Sequence, residues 1–179
     1  MQRCLGRLVI IGMAVSGLLG VCNHSARAGG APPNEQDSPE GNLAIVVNTS
    51  NPVDTLSLPE LRKVFLGERS HWPNGRRITL VMMEPGQPER RALIREVCQM
   101  NESDFSRHFL HGVFTGEVFV SPKTLASPVG VRKFVFNVPG AIGYVRASEV
   151  DSSVKVIRVD GRLPADKEYG LRIGPPAAH

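Results

Sequence analysis

Two short stretches carry residue types that could hold a small anion. The first is Met83–Arg91, MEPGQPERR, between the apolar run Ile78–Met82 and an amphipathic segment. A strand that turns through a glycine into a helix presents bare backbone N–H groups and the positive end of the helix dipole, a setting that takes phosphate-like oxyanions. Gly86 is the turn residue, and Gln87, Arg90 and Arg91 add side-chain donors. The same loop contains opposing groups. Glu84 and Glu89 flank the glycine, and Pro88 removes one backbone donor. One carboxylate about 4 Å from a monoanion costs about 1 kcal/mol in water and about 4 kcal/mol at an effective dielectric of 20. A dipole term of about 0.3–1 kcal/mol does not outweigh that. The expectation is a loop that has lost tight anion binding, unless the glutamates pair with Arg90 or Arg91. An ordinary strand-to-helix turn, its acids complementing the helix dipole, fits the same residues.

The second stretch is Asn48-Thr49-Ser50, directly after the apolar run Leu43–Val47. Open α/β sheets bind ligands at the carboxyl ends of their strands, which makes these three polar residues candidates. They equally spell an Asx or Ser turn.

Other groupings are weaker. Asp104, His108 and His111 are spaced i, i+4 and i+7 and could share a helix face, with His71 as a further ligand. They lack the HExxH pattern and a cysteine partner, and a solvated stripe opposite Phe105 and Phe109 accounts for them, so no metal and no cofactor is assigned. Arg76-Arg77 and Arg90-Arg91 with Arg95 form small basic patches, suited to a solvated face, an acidic partner or anionic headgroups. No nucleophile elbow, P-loop or dinucleotide fingerprint is present, so no catalytic residue and no enzyme is assigned.

The elements that must position these residues follow from periodicity and caps. Leu43–Val47 reads as a strand buried on both faces. Ser57 and Glu60 spell a capping box ahead of a helix with Leu58, Leu61, Val64 and Phe65 on one face, closed by Gly67. Residues 68–77 form a loop with a Pro-Asn-Gly turn, and Trp72 is placed as a lid on the core edge. Ile78–Met82 is a second strand. Pro88 opens a helix through Glu89–Met100 with Leu93, Ile94, Val97 and Met100 as its apolar set. Asn101 caps the next helix, which is expected to bury Phe105, Phe109, Leu110 and Val113 and to end at Gly116. Ser127-Pro128 starts a further helix, and AIGYV and VKVIRV read as strands. The order β-α-β-α-α-α-β-β implies an α/β layer fold with some parallel pairing.

At 179 residues the chain is one domain with tails. Residues 1–28 read as a secretory signal: Arg3 and Arg7, the apolar run Leu8–Cys22, then Ala26-Arg27-Ala28 as a cleavage pattern. An uncleaved anchor and a lipoprotein signal ending at Cys22 are the alternatives. The run is shorter than a span of about 20 residues, and the mature chain is expected to have no stable membrane insertion. Cleavage removes three arginines and no acid, so the net charge falls from +4 to +1. Bulk charge then gives no support to a nucleic-acid partner. Cleavage also leaves Cys98 as the only cysteine, read as a small buried hydrophobe. Residues 29–41 are a flexible leader, 42–160 the folded domain with an extension to about 172, and 161–179 a C-terminal tail.

The segments LAIVVNTSNPVDTLSLPELRKVFLGERSHWPNGRRITLVM, PGQPERRAL and NVPGAIGYV together resemble the periplasmic phosphate-binding proteins of ABC importers. The resemblance covers roughly residues 43–150. It implies a single lobe of a type II periplasmic-binding-protein-like fold, a mixed sheet flanked by helices. It also implies a periplasmic solute-binding role with phosphate or another small oxyanion, and a membrane transporter or periplasmic protein as partner. In that family a Gly-Ser-Gly-Thr-Ser-like turn follows the second strand; here only Gly86 matches, and the hydroxyls are absent.

Overall fold

The computed structural model describes residues 41–174. Residues 1–28, read as a secretory signal, and the leader through residue 40 lie outside the described residues, as do 175–179. The described chain runs β1 (Leu43–Asn48), β2 (Thr55–Leu56), α1 (Leu58–Phe65), β3 (Thr79–Met83), α2 (Pro88–Leu93), α3 (Glu102–Thr115), β4 (Lys123–Leu125), α4 (Pro128–Asn137), β5 (Ala141–Arg146), β6 (Val154–Val156) and β7 (Arg158–Val159). Five strands form one sheet in the order β4-β3-β5-β1-β6, while β2 and β7 make a small parallel pair.

The sheet is mixed, as the sequence implies. β3 is parallel to both β4 and β5, and β1 is antiparallel to both β5 and β6. Val47, near the end of β1, pairs with Ile142 near the start of β5. Thr79, at the start of β3, pairs with Ala141 at that same end. The end of β1 therefore lies with the start of β3, a direction that decides where the polar clusters fall.

Every β1 residue is buried, as a continuous apolar run between two strands requires. Ser57 and Glu60 form the capping box of α1, whose Leu61, Val64 and Phe65 are buried. Trp72 is buried, and its Nε1–H donates to the Gly140 carbonyl at 2.9 Å. The stretch NVPGAIGYV needs its glycines for close approach. A Cβ on Gly140 would sit 2.1 Å from the Arg77 carbonyl oxygen, and one on Gly143 would sit 2.9 Å from a Val131 methyl of α4.

Three expectations change. The helix read over Glu89–Met100 is α-helical only to Leu93 and continues as a π-helical segment, Ile94–Cys98, which Gln99 closes in the left-handed region at φ 56°. The wider turn brings Leu93 and Ile94, then Val97 and Cys98, onto the core together. In α3, Phe105 is buried, but Leu110 and Val113 are 66% and 54% exposed. This helix meets the core through Phe105, Phe109 and Gly112, and the face opposite them is open.

The segment beyond 160 is not a loose tail as far as it is described. Tyr169 and Leu171 are buried, the Tyr169 hydroxyl donates to the Leu43 carbonyl at 2.8 Å, and the Leu43 amide donates to the Leu171 carbonyl at 2.8 Å. β6 pairs only with Val46–Asn48, so the first half of β1 lacks a strand partner on that side. The C-terminal segment covers it.

Candidate functional site

At one end of the sheet, β3 runs out into the loop that the sequence singles out. Two side chains fix the strand end. The Met83 amide donates to the Tyr144 hydroxyl at 3.0 Å, and the Met83 carbonyl accepts from Arg90 Nη1 at 2.7 Å. Burial raises the Tyr144 phenol well above its ordinary value, so it stays protonated. Arg90 is 6% exposed. Its Nε and Nη2 both grip the Glu102 carboxylate, at 2.9 and 2.7 Å to one oxygen, and its guanidinium lies over the Phe105 ring. Arg90 is thus committed to the scaffold on every nitrogen, and its acidic partner comes from the start of α3 rather than from the loop.

Glu89 is also buried, at 4% exposure, and is paired with Arg146 at the end of β5. The sequence reading sets both loop glutamates against an anion unless Arg90 or Arg91 pairs with them. The structure supplies a different cation for Glu89, so that charge is compensated beneath α2. Glu84 is exposed and enters none of the ion pairs among the described residues. Its amide donates to the Leu125 carbonyl at 3.1 Å, which extends the β3–β4 ladder by one step. Gly86 takes φ 93°, with open space where a Cβ would stand. Gln87 stands at the N-cap of α2 and makes no side-chain cap bond. Arg91 is exposed and donates to the Gly86 carbonyl at 3.1 Å. The exposed charges at the mouth of this loop are therefore Arg91 and Glu84.

Asn48, Thr49 and Ser50 lie elsewhere. Because β1 runs against β3, they sit at the opposite end of the sheet from Gly86, Gln87, Arg90 and Arg91. The two clusters cannot share one small ligand. Asn48 is buried, and its side-chain amide donates to the Val135 and Phe136 carbonyls at 2.8 and 2.6 Å, tying β1 to the last turn of α4. Its carbonyl oxygen accepts from the Ser50 amide and hydroxyl at 2.9 and 2.7 Å, an Asx turn. Ser50 Oγ also accepts from Arg76 at 3.2 Å. Thr49 and Ser50 are exposed, while Asn48 has its hydrogen-bonding capacity engaged inside the fold.

Of the histidine grouping, Asp104, His108 and His111 all lie on α3. His108 bonds the Leu66 carbonyl at 2.9 Å, and Asp104 bonds Asn101 and Arg107 within α3. No cluster of three or more potential metal ligands occurs among the described residues. Cys98 is buried, and burial pushes its thiol up to about 12, which leaves it protonated and unreactive.

Sequence reasoning missed the two charge pairs under the loop. They join residues 12 and 57 positions apart, and no local spacing announces them. It also missed β4, whose three residues are too few to show an alternation.

Compared with models of known protein families, the chain matches none. Among solved structures it is similar to an ABC-type phosphate transport receptor from Vibrio cholerae, with TM-score 0.57 and 22% identity over 69% of this chain and 48% of that one. It is also similar to a phosphate ABC transporter substrate-binding protein with bound phosphate from Clostridium perfringens, with TM-score 0.56 and 24% identity over 67% of this chain and 45% of that one. The chain spans about half the length of these neighbours and shares the fold of that half. Among the described residues no helix is long and apolar enough to cross a membrane.

Proposed function

We propose that the chain is an exported, solute-binding-like protein of ABC-type oxyanion uptake that meets phosphate or a similar small anion at the Glu84–Arg91 loop. The observation that supports this most is the pairing of Glu89 with Arg146. One of the two acids expected to repel an anion is neutralised inside the fold, and the exposed Arg91 is left opposed by Glu84 alone. Each of these charges is worth about 1 kcal/mol on a monoanion at 4 Å in water, and they act in opposite directions. The loop hydroxyls of the resembled family are missing, so affinity is expected near 1 mM, about −4 kcal/mol. Export to the periplasm rests on the basic, apolar and Ala-Arg-Ala pattern of residues 1–28. N-terminal sequencing of the secreted chain is expected to begin at residue 29. No cofactor, metal or nucleic acid enters this reading, and it is a binding role rather than a catalytic one.

The test is a thermal-shift titration with phosphate and sulfate at constant ionic strength. At 20 mM phosphate a site near 1 mM adds about 1.8 kcal/mol, raising Tm by roughly 4–7 °C. A flat response to both anions would sink the proposal. A second reading is a periplasmic interaction module that has given up ligand binding. The exposed Leu110, Val113, Phe114 and Phe119 favour it, because solute binding needs no such surface.

A further inference from the structure

Asn42 carries a buried side-chain oxygen that the fold leaves unsatisfied. The residue is 7% exposed, its Nδ2 donates to the Pro164 carbonyl at 2.6 Å, and its main-chain carbonyl accepts from the Ala147 amide at 2.9 Å. Its Oδ1 has no hydrogen-bond partner among the described residues. Buried side-chain acceptors are nearly always bonded, so an orphan marks where a donor from outside the fold is expected.

The two residues that Asn42 bonds, Ala147 and Pro164, border a cleft of about 540 Å³. Ala44, Val150, Val156, Leu163 and Ala165 make the rest of an apolar wall, with Ser148 beside them. Asn42 and Ala44 stand two apart in one extended run, which puts their side chains on the same face of the sheet. The orphan oxygen therefore belongs to the cleft's side of β1. A cleft of this size, apolar with one or two placed polar groups, suits a small organic molecule. No charged side chain lines it among the described residues. A carboxylate would bring only acceptors to Asn42 Oδ1, and an ammonium would be buried without a counter-charge. A hydroxyl meets both conditions. We infer that this cleft is a binding site for a small neutral alcohol or phenol, its apolar body against Ala44 and Val156 and its O–H donating to Asn42 Oδ1. The site is separate from the Glu84–Arg91 loop and independent of what that loop binds.

Amide-resolved NMR of the purified full-chain protein, titrated to about 10 mM with phenol, anisole or benzoate, tests this. Phenol is expected to move the amides of Ala44, Ala147, Leu163 and Ala165 and the side-chain amide of Asn42, with a Kd near 1 mM, about what seven heavy atoms can give. Anisole is the more apolar of the two but has no O–H to donate. It is expected to bind at least about 5-fold more weakly, because Asn42 Oδ1 stays unpaired beneath it. Benzoate is expected to leave these signals unmoved. Ala165 is exposed and lines the cleft, so Ala165→Trp fills it from the rim. That variant is expected to lose the phenol response while its Tm stays within about 2 °C of wild type. Cleft signals that phenol does not move overturn the inference, as does anisole binding as tightly as phenol or a phenol response that Ala165→Trp leaves intact. So do cross-peaks from residues 32–40 to these amides in the free protein, which would make the chain's own leader the occupant, or cleft signals that shift with protein concentration alone, which would make it a second copy.

Discussion

The two ends of the central sheet hold their polar groups by different means. At the end of β1, Asn48 uses neutral hydrogen bonds to close the chain onto α4, with both Val135 and Phe136 carbonyls satisfied by one side-chain amide. At the end of β3, two charge pairs, Arg90–Glu102 and Glu89–Arg146, sit beneath a loop whose outer surface keeps Arg91 and Glu84 in water. The first end is closed by Asn48, whose side chain is engaged inside the fold, while Thr49 and Ser50 stay exposed. The second is built, because buried charges are retained only where they are paired, and it leaves ionic groups facing solvent. The contrast shows that a polar residue at a strand terminus says little about binding until its hydrogen bonds are counted.

That contrast can be broken most forcefully from below the loop. Glu102→Ala leaves the buried Arg90 without its carboxylate and is expected to cost about 2–3 kcal/mol in urea unfolding, discounted from the usual 3–5 because Glu102 is 36% exposed. A loss under 1 kcal/mol would mean that the pair is not what holds this end. Asn48→Ala strands two carbonyls at the sealed end, and about 2 kcal/mol is expected from the same measurement. It should leave phosphate titrations unaltered; a weakened anion response would show that the sealed end is not merely structural.

Smaller effects sharpen the difference. Removing the opposing charge with Glu84→Gln is expected to tighten phosphate binding about 5-fold, the equivalent of about 1 kcal/mol. Arg91→Ala should loosen it by a similar factor, with no change in Tm of the free protein in either case. The smallest effect is a pH limb unrelated to either end. The Ser57 hydroxyl, then its amide, hold the Glu60 carboxylate below its ordinary range, and the Ser153 hydroxyl does the same for Asp151. A lowered folded value means the stabilisation is complete above the unfolded values near 4 and is lost as pH falls through the folded ones. Tm should decline below about pH 4, and Glu60→Gln should flatten part of that decline.

Much of the architecture was legible in the residues themselves. The run LAIVV suits a strand covered on both faces, and the Ser57–Glu60 box and the Asn101 cap mark helix starts by local hydrogen bonding alone. Strand direction was not legible. Nothing within Leu43–Asn48 says that it runs against β3, yet that fact separates Asn48–Ser50 from Gly86–Arg91. The π-helical turn at Ile94–Cys98 was hidden because its apolar set also satisfies ordinary α-helical spacing. The packing of Tyr169 and Leu171 depends on how short β6 is, which is a property of the sheet and not of the segment. At the site, the engagement of Arg90 was not legible because its partner Glu102 lies 12 residues on, across a helix boundary.

The most direct test of the separation between the two ends is an amide-resolved NMR titration with phosphate to about 20 mM at constant ionic strength. Shifts concentrated at Gly86, Gln87 and Arg91, with Thr49 and Ser50 unmoved, are the predicted result. Shifts confined to Thr49 and Ser50, or no shifts anywhere, would contradict the assignment of the anion to the charged end of the sheet.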